Sequence, residues 1–181
     1  PGVEIVCVCN RSRESGERAA RELGIPRVET EWRAVVEAED VDAVLVGTWP
    51  YMHHPVSMAA LEAGKHVFCQ ARMAMNTREA REMAAKAKET RLANALCYPP
   101  IGLKGDYVMR EMIGGGFLGE LREVRVVDTS DSYVDPQKPL HWRQKAKYSG
   151  VNTLTVGMYA EVLNRWVGPA RRVVAEAETF V

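Results

Sequence analysis

Short apolar runs alternate along this chain with longer stretches whose apolar positions fall three and four residues apart. Val3-Glu-Ile-Val-Cys-Val-Cys9 is β-branched and short enough for a buried parallel strand. Ser12 stands where it can cap a helix running to Leu23, which Gly24 and Pro26 end. Thr30 opens a second helix, with Trp32, Val35 and Val36 apolar. Asp42 to Gly47 predicts the next strand, Thr48 to His54 a loop, and Pro55 to Ala63 a helix stopped by Gly64. His66 to Cys69 reads as a strand, and a polar turn follows. Asn76 or Thr77 can then cap a helix from Thr77 to Glu89, with Ala80, Met83, Ala84 and Ala87 on one face. Leu92 to Cys97 reads as a further strand. Strands alternating with helices predict an α/β fold with a parallel, doubly wound sheet.

Tyr98-Pro99-Pro100 interrupts this rhythm and marks the expected domain boundary. Beyond it the pattern predicts a helix over Leu103–Ile113, a strand over Leu121–Thr129 and a loop over Asp131–Pro139. A helix from Asn152 or Thr153 to Val167 is stopped by Gly168-Pro169, and Arg172 to Val181 alternates as a strand again. The reading is a Rossmann-type dinucleotide-binding domain over residues 1–98 and the first part of an α+β domain over 99–181. A dinucleotide fold begins with a strand, a glycine-rich turn and a helix whose N-terminus holds the pyrophosphate. Here the pattern starts on what should be the second strand. The sheet is therefore expected to be incomplete, both ends read as cut, and an apolar sheet face should stand bare.

Composition narrows the function classes. Lys+Arg and Asp+Glu both number 24, so the net charge is zero and gives no electrostatic reason to expect nucleic acid or an anionic membrane. With 46% apolar residues, no spanning-length apolar run and no basic-then-apolar start, the expectation is a cytoplasmic protein. Cys7, Cys9, Cys69 and Cys97 sit in or beside apolar strand-like runs without a partner at metal-ligand spacing, so they read as reduced core cysteines and no metal is expected. Gly114-Gly-Gly-Phe-Leu-Gly119 spells G-x-G-x-x-G, but it follows a helix, where glycine ends helices and makes turns. A phosphate loop needs the opposite order, strand before and helix after.

The chemistry gathers where strands end, the edge at which open α/β sheets bind ligands. Asn10-Arg11-Ser12 ends the first run with no acidic residue, and arginine there suits the 2′-phosphate of NADP, as an acidic side chain would suit the ribose of NAD. A solvated Arg11 and a capping Ser12 are the plainer alternative. In Thr48-Trp49-Pro50-Tyr51-Met52-His53, Thr48 can meet a phosphate or ribose, Trp49 can stack on a nicotinamide, and His53 can serve either the cofactor or packing. The His66–Cys69 strand delivers Gln70, Ala71 and Arg72.

Ala60-Leu61-Glu62-Ala63-Gly64-Lys65-His66-Val67 resembles the segment preceding the Glu-Lys-Pro motif of the glucose–fructose oxidoreductase / inositol dehydrogenase (Gfo/Idh/MocA) family. The motif itself is Gln70-Ala71-Arg72 here, so alanine stands at the family's catalytic lysine. The loop from Thr48 to His53 is similar to the family's Thr-Pro-Asn-x-x-His, with Trp49 and Pro50 as departures. Trp142-Arg143 resembles a Trp-Arg pair that reaches the cofactor in several members. Gly150 to Gly168 resembles the Gly-Gly…Asp-x-Gly-x-His helix, with Thr155 at the aspartate and Tyr159 at the histidine.

The resemblance implies an NAD(P)-dependent oxidoreductase acting on a sugar, cyclitol or related polyol, homo-oligomeric when complete. It implies NADP or NAD as cofactor, held by Asn10, Arg11, Ser12, Thr48, Trp49, Pro50, His53, Gln70, Trp142 and Arg143. With all three catalytic positions changed, Tyr159, Arg72 and Thr155 are the candidates for chemistry. Arg72 would anchor a substrate oxygen, and Tyr159 would relay a proton with its pKa lowered by a neighbouring cation, Arg72 being the available one. A non-catalytic binding or assembly protein is the competing reading, and a divergent lyase or hydrolase a third.

Overall fold

The computed structural model describes residues 2–97, 104–151 and 154–178. The chain divides into two compact units. One takes Pro1–Tyr98 together with Leu140–Asn152, the other Pro99–Pro139 together with Thr153–Val181. The expected boundary residues 98–100 lie outside the described residues. The sequence pattern suggests one continuous second domain, whereas the structure returns Leu140–Asn152 to the first unit.

In the first unit the elements run β1 (Cys7–Cys9), α1 (Arg13–Leu23), β2 (Arg27–Glu29), α2 (Trp32–Glu37), β3 (Ala43–Val46), α3 (His53–Glu62), β4 (His66–Gln70), α4 (Thr77–Glu89) and β5 (Asn94–Cys97). Every strand pairing among the described residues is parallel. The strands form two ladders, β1-β2 and β3-β4-β5. β2 is absent from the sequence reading because a three-residue strand with one apolar side chain, Val28, carries almost no periodic signal.

Local chemistry explains the helix limits. The Ser12 side chain accepts the Ser15 N–H to start α1, and Gly24 ends it at φ 69°, a left-handed backbone that glycine adopts without strain. Asn76 likewise accepts the Glu79 N–H at the start of α4, while Glu79 reaches back to the Met75 N–H at 3.0 Å. Thr30 does not open α2; the flanking residue is Glu31, with no side-chain cap. A short 3₁₀ turn over Pro50–Met52 runs directly into α3, which begins at His53, two residues before the expected Pro55.

Strand alternation sets the core. Val44 and Val46 of β3 and Val67 and Cys69 of β4 are buried and join Val36, Val56, Ala60, Leu61 and Met83 in one apolar cluster. The opposite face of this ladder pairs Leu45 with Phe68, and these are 72% and 44% exposed. The four cysteines are free thiols, but they are not all in the core as expected: Cys69 is buried, Cys7 and Cys9 are half-buried, and Cys97 is exposed.

In the second unit α5 spans Asp106–Gly114 and α7 spans Leu154–Val167. The Asp106 carboxylate is buried and accepts from Trp166 Nε1 at 2.9 Å and from the Arg165 guanidinium, joining the start of one helix to the end of the other. The glycines after α5 make a turn, with Gly116 and Gly119 at positive φ, as a helix end requires. The expected strand over 121–129 does not form, nor does one over 172–178; residues 179–181 lie outside the described residues. A strand needs a hydrogen-bonded neighbour, and none of the described residues of this unit pairs with either segment. Val127 and Val174 accordingly stand 78% and 99% exposed.

Candidate functional site

The loops that leave β1, β3 and β4 bring most of the predicted residues of the first unit together. Asn10 and Ser12 build the entrance of α1: Asn10 Nδ2 donates to Ser15 O at 3.1 Å and to Ser15 Oγ at 3.2 Å, and Ser12 Oγ accepts the Ser15 N–H. Arg11, between them, is exposed and lays its guanidinium over the Trp49 ring, 4.5 Å from the centroid. Such a cation over an indole face is held by the ring quadrupole. Trp49 stacks on Trp142, with centroids 5.3 Å apart and planes within 13°. Arg143 covers the Trp142 ring at 4.3 Å. Tyr148 packs against both Trp49 (4.9 Å) and Tyr51 (5.7 Å).

His53 is fully buried, and its ring nitrogens meet two backbone carbonyls, Nδ1 at Arg72 O (2.6 Å) and Nε2 at Thr48 O (2.9 Å). It therefore ties the loop after β3 to the loop after β4. Its place is within the scaffold under those loops, with both nitrogens turned to protein. Pro50 is buried beside it at the head of the 3₁₀ turn, Thr48 is exposed, and Gln70 ends β4 on the exposed side.

Arg72 differs from its expected role as a free anchor. Its Nη1 donates to Val151 O at 2.7 Å and its Nη2 to Ser149 Oγ. Burial, and then the charge of Arg143, pull its pKa below the ordinary value. The segment it meets carries a 3₁₀ turn (Trp142–Gln144) and a one-turn helix, α6 (Ala146–Ser149). The 3₁₀ turn is closed by His141, whose ring Nδ1 accepts the Arg143 backbone N–H while the His141 backbone N–H donates to Gln144 Oε1. Tyr148 and Ser149 are absent from the sequence reading, and Tyr51 appears there only as part of the Thr48–His53 loop, with no role. The only signal for Tyr148 and Ser149 is their position just before the Gly150 motif.

Thr155 and Tyr159 lie on α7 in the second unit, both exposed and four residues apart. The Tyr159 hydroxyl donates to Asp128 Oδ1 at 3.3 Å. The Asp128 charge, then partial desolvation, push its pKa up from the ordinary value. The sequence reading asks for a cation that lowers this pKa; the structure supplies a carboxylate that raises it. Asp128 escapes notice in the sequence because it falls within the expected strand.

The polar groups of the first unit suit an anionic ligand: two guanidiniums laid over the stacked Trp49 and Trp142 rings, and the exposed Thr48 hydroxyl. Nicotinamide dinucleotides have that chemistry, so the residues present fit the cofactor. Parallel strands with such loops at their carboxyl ends define a dinucleotide-binding α/β unit of Rossmann type. The family described as an oxidoreductase family with an NAD-binding Rossmann fold matches residues 1–96, and the chain belongs to it, the Gfo/Idh/MocA family. A 1,5-anhydro-D-fructose reductase of Ensifer adhaerens is 34% identical over 125 residues, 69% of this chain and 38% of that protein. The crystal structure of an oxidoreductase domain protein from Kribbella flavida superposes with a TM-score of 0.82 at 30% identity, covering 91% of this chain and 45% of the other. A levoglucosan dehydrogenase solved with NADH and levoglucosan shares the fold at TM-score 0.73 and 22% identity, over 90% of this chain and 45% of that one. The chain spans less than half the length of the relatives it matches.

Proposed function

We propose that the protein is an NAD(P)-dependent oxidoreductase that acts on a sugar, cyclitol or related polyol. The observation that carries this is the Arg11–Trp49–Trp142–Arg143 array at the carboxyl edge of a unit belonging to an NAD-binding oxidoreductase family. When bound, the dinucleotide supplies the hydride acceptor or donor. Arg11 and Arg143 would meet its phosphates and Thr48 a ribose or phosphate oxygen, with the stacked Trp49 and Trp142 backing the two arginines and Asn10, Ser12, Pro50, His53 and Gln70 shaping the loops around it. The absence of an acidic residue over Cys9–Ser12 leads us to rank NADP above NAD.

For the chemistry we assign Tyr159 and Thr155, one turn apart on α7. Proton transfer by a positioned side chain is worth about 10²–10⁴-fold in rate. A substrate hydroxyl proton taken up at the Tyr159 oxygen can be matched by release of the phenol's own proton to Asp128. This route needs no lowered tyrosine pKa. The proposal extends to a cytoplasmic homo-oligomer whose partner is a small molecule, with neither nucleic acid nor membrane. The zero net charge gives no attraction to nucleic acid or an anionic membrane, and among the described residues no helix is long and apolar enough to cross a membrane.

Ala71 at the lysine position supports a second reading, a binding protein that has lost turnover. Reduced-cofactor absorbance, followed over a panel of sugars and polyols with NADP and NAD, separates the two. Turnover that falls by about 10²–10⁴ in Tyr159→Phe is expected. Cofactor binding with no turnover on any polyol would install the second reading, and turnover indifferent to Tyr159→Phe would remove the proton assignment.

A further inference from the structure

We propose that Arg72 is a positioning residue: it pins the turn at 149–151 beside β4 and thereby holds Trp142 against Trp49. Three consecutive residues of that turn touch the stretch after β4. Ser149, buried, receives one guanidinium nitrogen through its hydroxyl, and Val151 receives the other through its carbonyl at 2.7 Å. Gly150 between them lies so close to the Met75 backbone that a Cβ there would stand 2.7 Å from Met75 O. Its φ of 59° and ψ of −152° also belong to a region that glycine alone occupies readily.

The same segment is held at its other end by rings. Trp142 stacks on Trp49, and Tyr148 wedges against Trp49 and Tyr51. Trp49 and Tyr51 sit on the loop after β3. The carbonyl of Arg72 and that of Thr48, the residue before Trp49, both lie against the nitrogens of the buried His53 ring. One residue thus fixes both partners of the stack. Its side chain holds the segment carrying Trp142, and its backbone holds the loop carrying Trp49. The planar fork of arginine serves two acceptors at once, which a lysine ammonium on a flexible stem does not reproduce in the same geometry. The consequence for cofactor affinity rests on the function proposed above; the pinning itself does not.

Near-ultraviolet circular dichroism of the protein tests it. Each stacked indole lies in the asymmetric surroundings the other provides, so the pair contributes a coupled signal to the tryptophan bands, assignable by its loss in Trp142→Phe. We expect Arg72→Ala to lose that signal with far-ultraviolet dichroism retained, and Arg72→Lys not to restore it. Gly150→Ala should lose it with Arg72 intact, which decides the matter should Arg72→Ala not fold. NADPH titrations on the same variants should show at least about tenfold weaker binding. An unchanged coupled signal in Arg72→Ala, or in Gly150→Ala if that must decide, overturns the proposal. If the signal is lost but wild-type protein binds neither NADPH nor NADH, the pinning stands and the cofactor reading fails.

Discussion

Tyr159 shows how one neighbour redirects a side chain's chemistry. An unperturbed phenol ionises near pH 10, too high for a base at neutrality. Asp128 makes the phenolate less favourable still. The folded state therefore holds the phenolic proton more tightly than the unfolded chain does. That contribution to stability is whole below about pH 10 and fades as pH rises through the raised pKa. An ultraviolet titration should give Tyr159 a midpoint above the ordinary value, falling back toward it in Asp128→Asn. A midpoint at or below the ordinary value in the wild type would contradict the pairing. At the residue scale the sequence tells what each group can do but little of what stands beside it. Arg11 is legible as a cation at a strand end; that it lies on an indole is not, since Trp49 is distant in sequence. Arg72 is legible as a donor fork, yet its acceptors stand at Ser149 and Val151, beyond any local pattern.

Elements with local causes were easy to read. α1 and α4 follow from Ser12, Gly24 and Asn76, groups that act within one turn of the helix end. A side-chain cap of this kind is worth about 1 kcal/mol. The segments over 121–129 and 172–178 have strand periodicity, but periodicity cannot supply a ladder partner. Packing between elements is equally hidden, as at Gly16. There alanine would gain about 1 kcal/mol of helix propensity. Its methyl would stand 2.8 Å from Val28 Cγ1 on β2, however, and overpacking costs about 1–3 kcal/mol. Gly16→Ala should therefore lower the denaturant midpoint in the wild type and raise it in a Val28→Ala background. A rise in both would show that α1 and β2 do not meet as described.

For the whole molecule, family and fold class were legible because the Rossmann rhythm repeats over most of the first unit, and the Gly64–Val67 wording survives beside altered catalytic positions. The return of Leu140–Asn152 to the first unit was not, because its ties are single side chains far apart in the chain. The central claim is that the carboxyl edge of the first unit holds a nicotinamide dinucleotide at the arginines laid over its stacked indoles. Titration of the protein with NADPH and with NADH, read by energy transfer from tryptophan to the reduced nicotinamide, tests this most directly. The account predicts sensitised nicotinamide emission with both, tighter binding of NADPH, and a selective loss of NADPH affinity in Arg11→Ala. The loss should be on the order of 1.5–3 kcal/mol, the range for a hydrogen bond to a charged group. No energy transfer with either dinucleotide, or equal affinities untouched by Arg11→Ala, would contradict it.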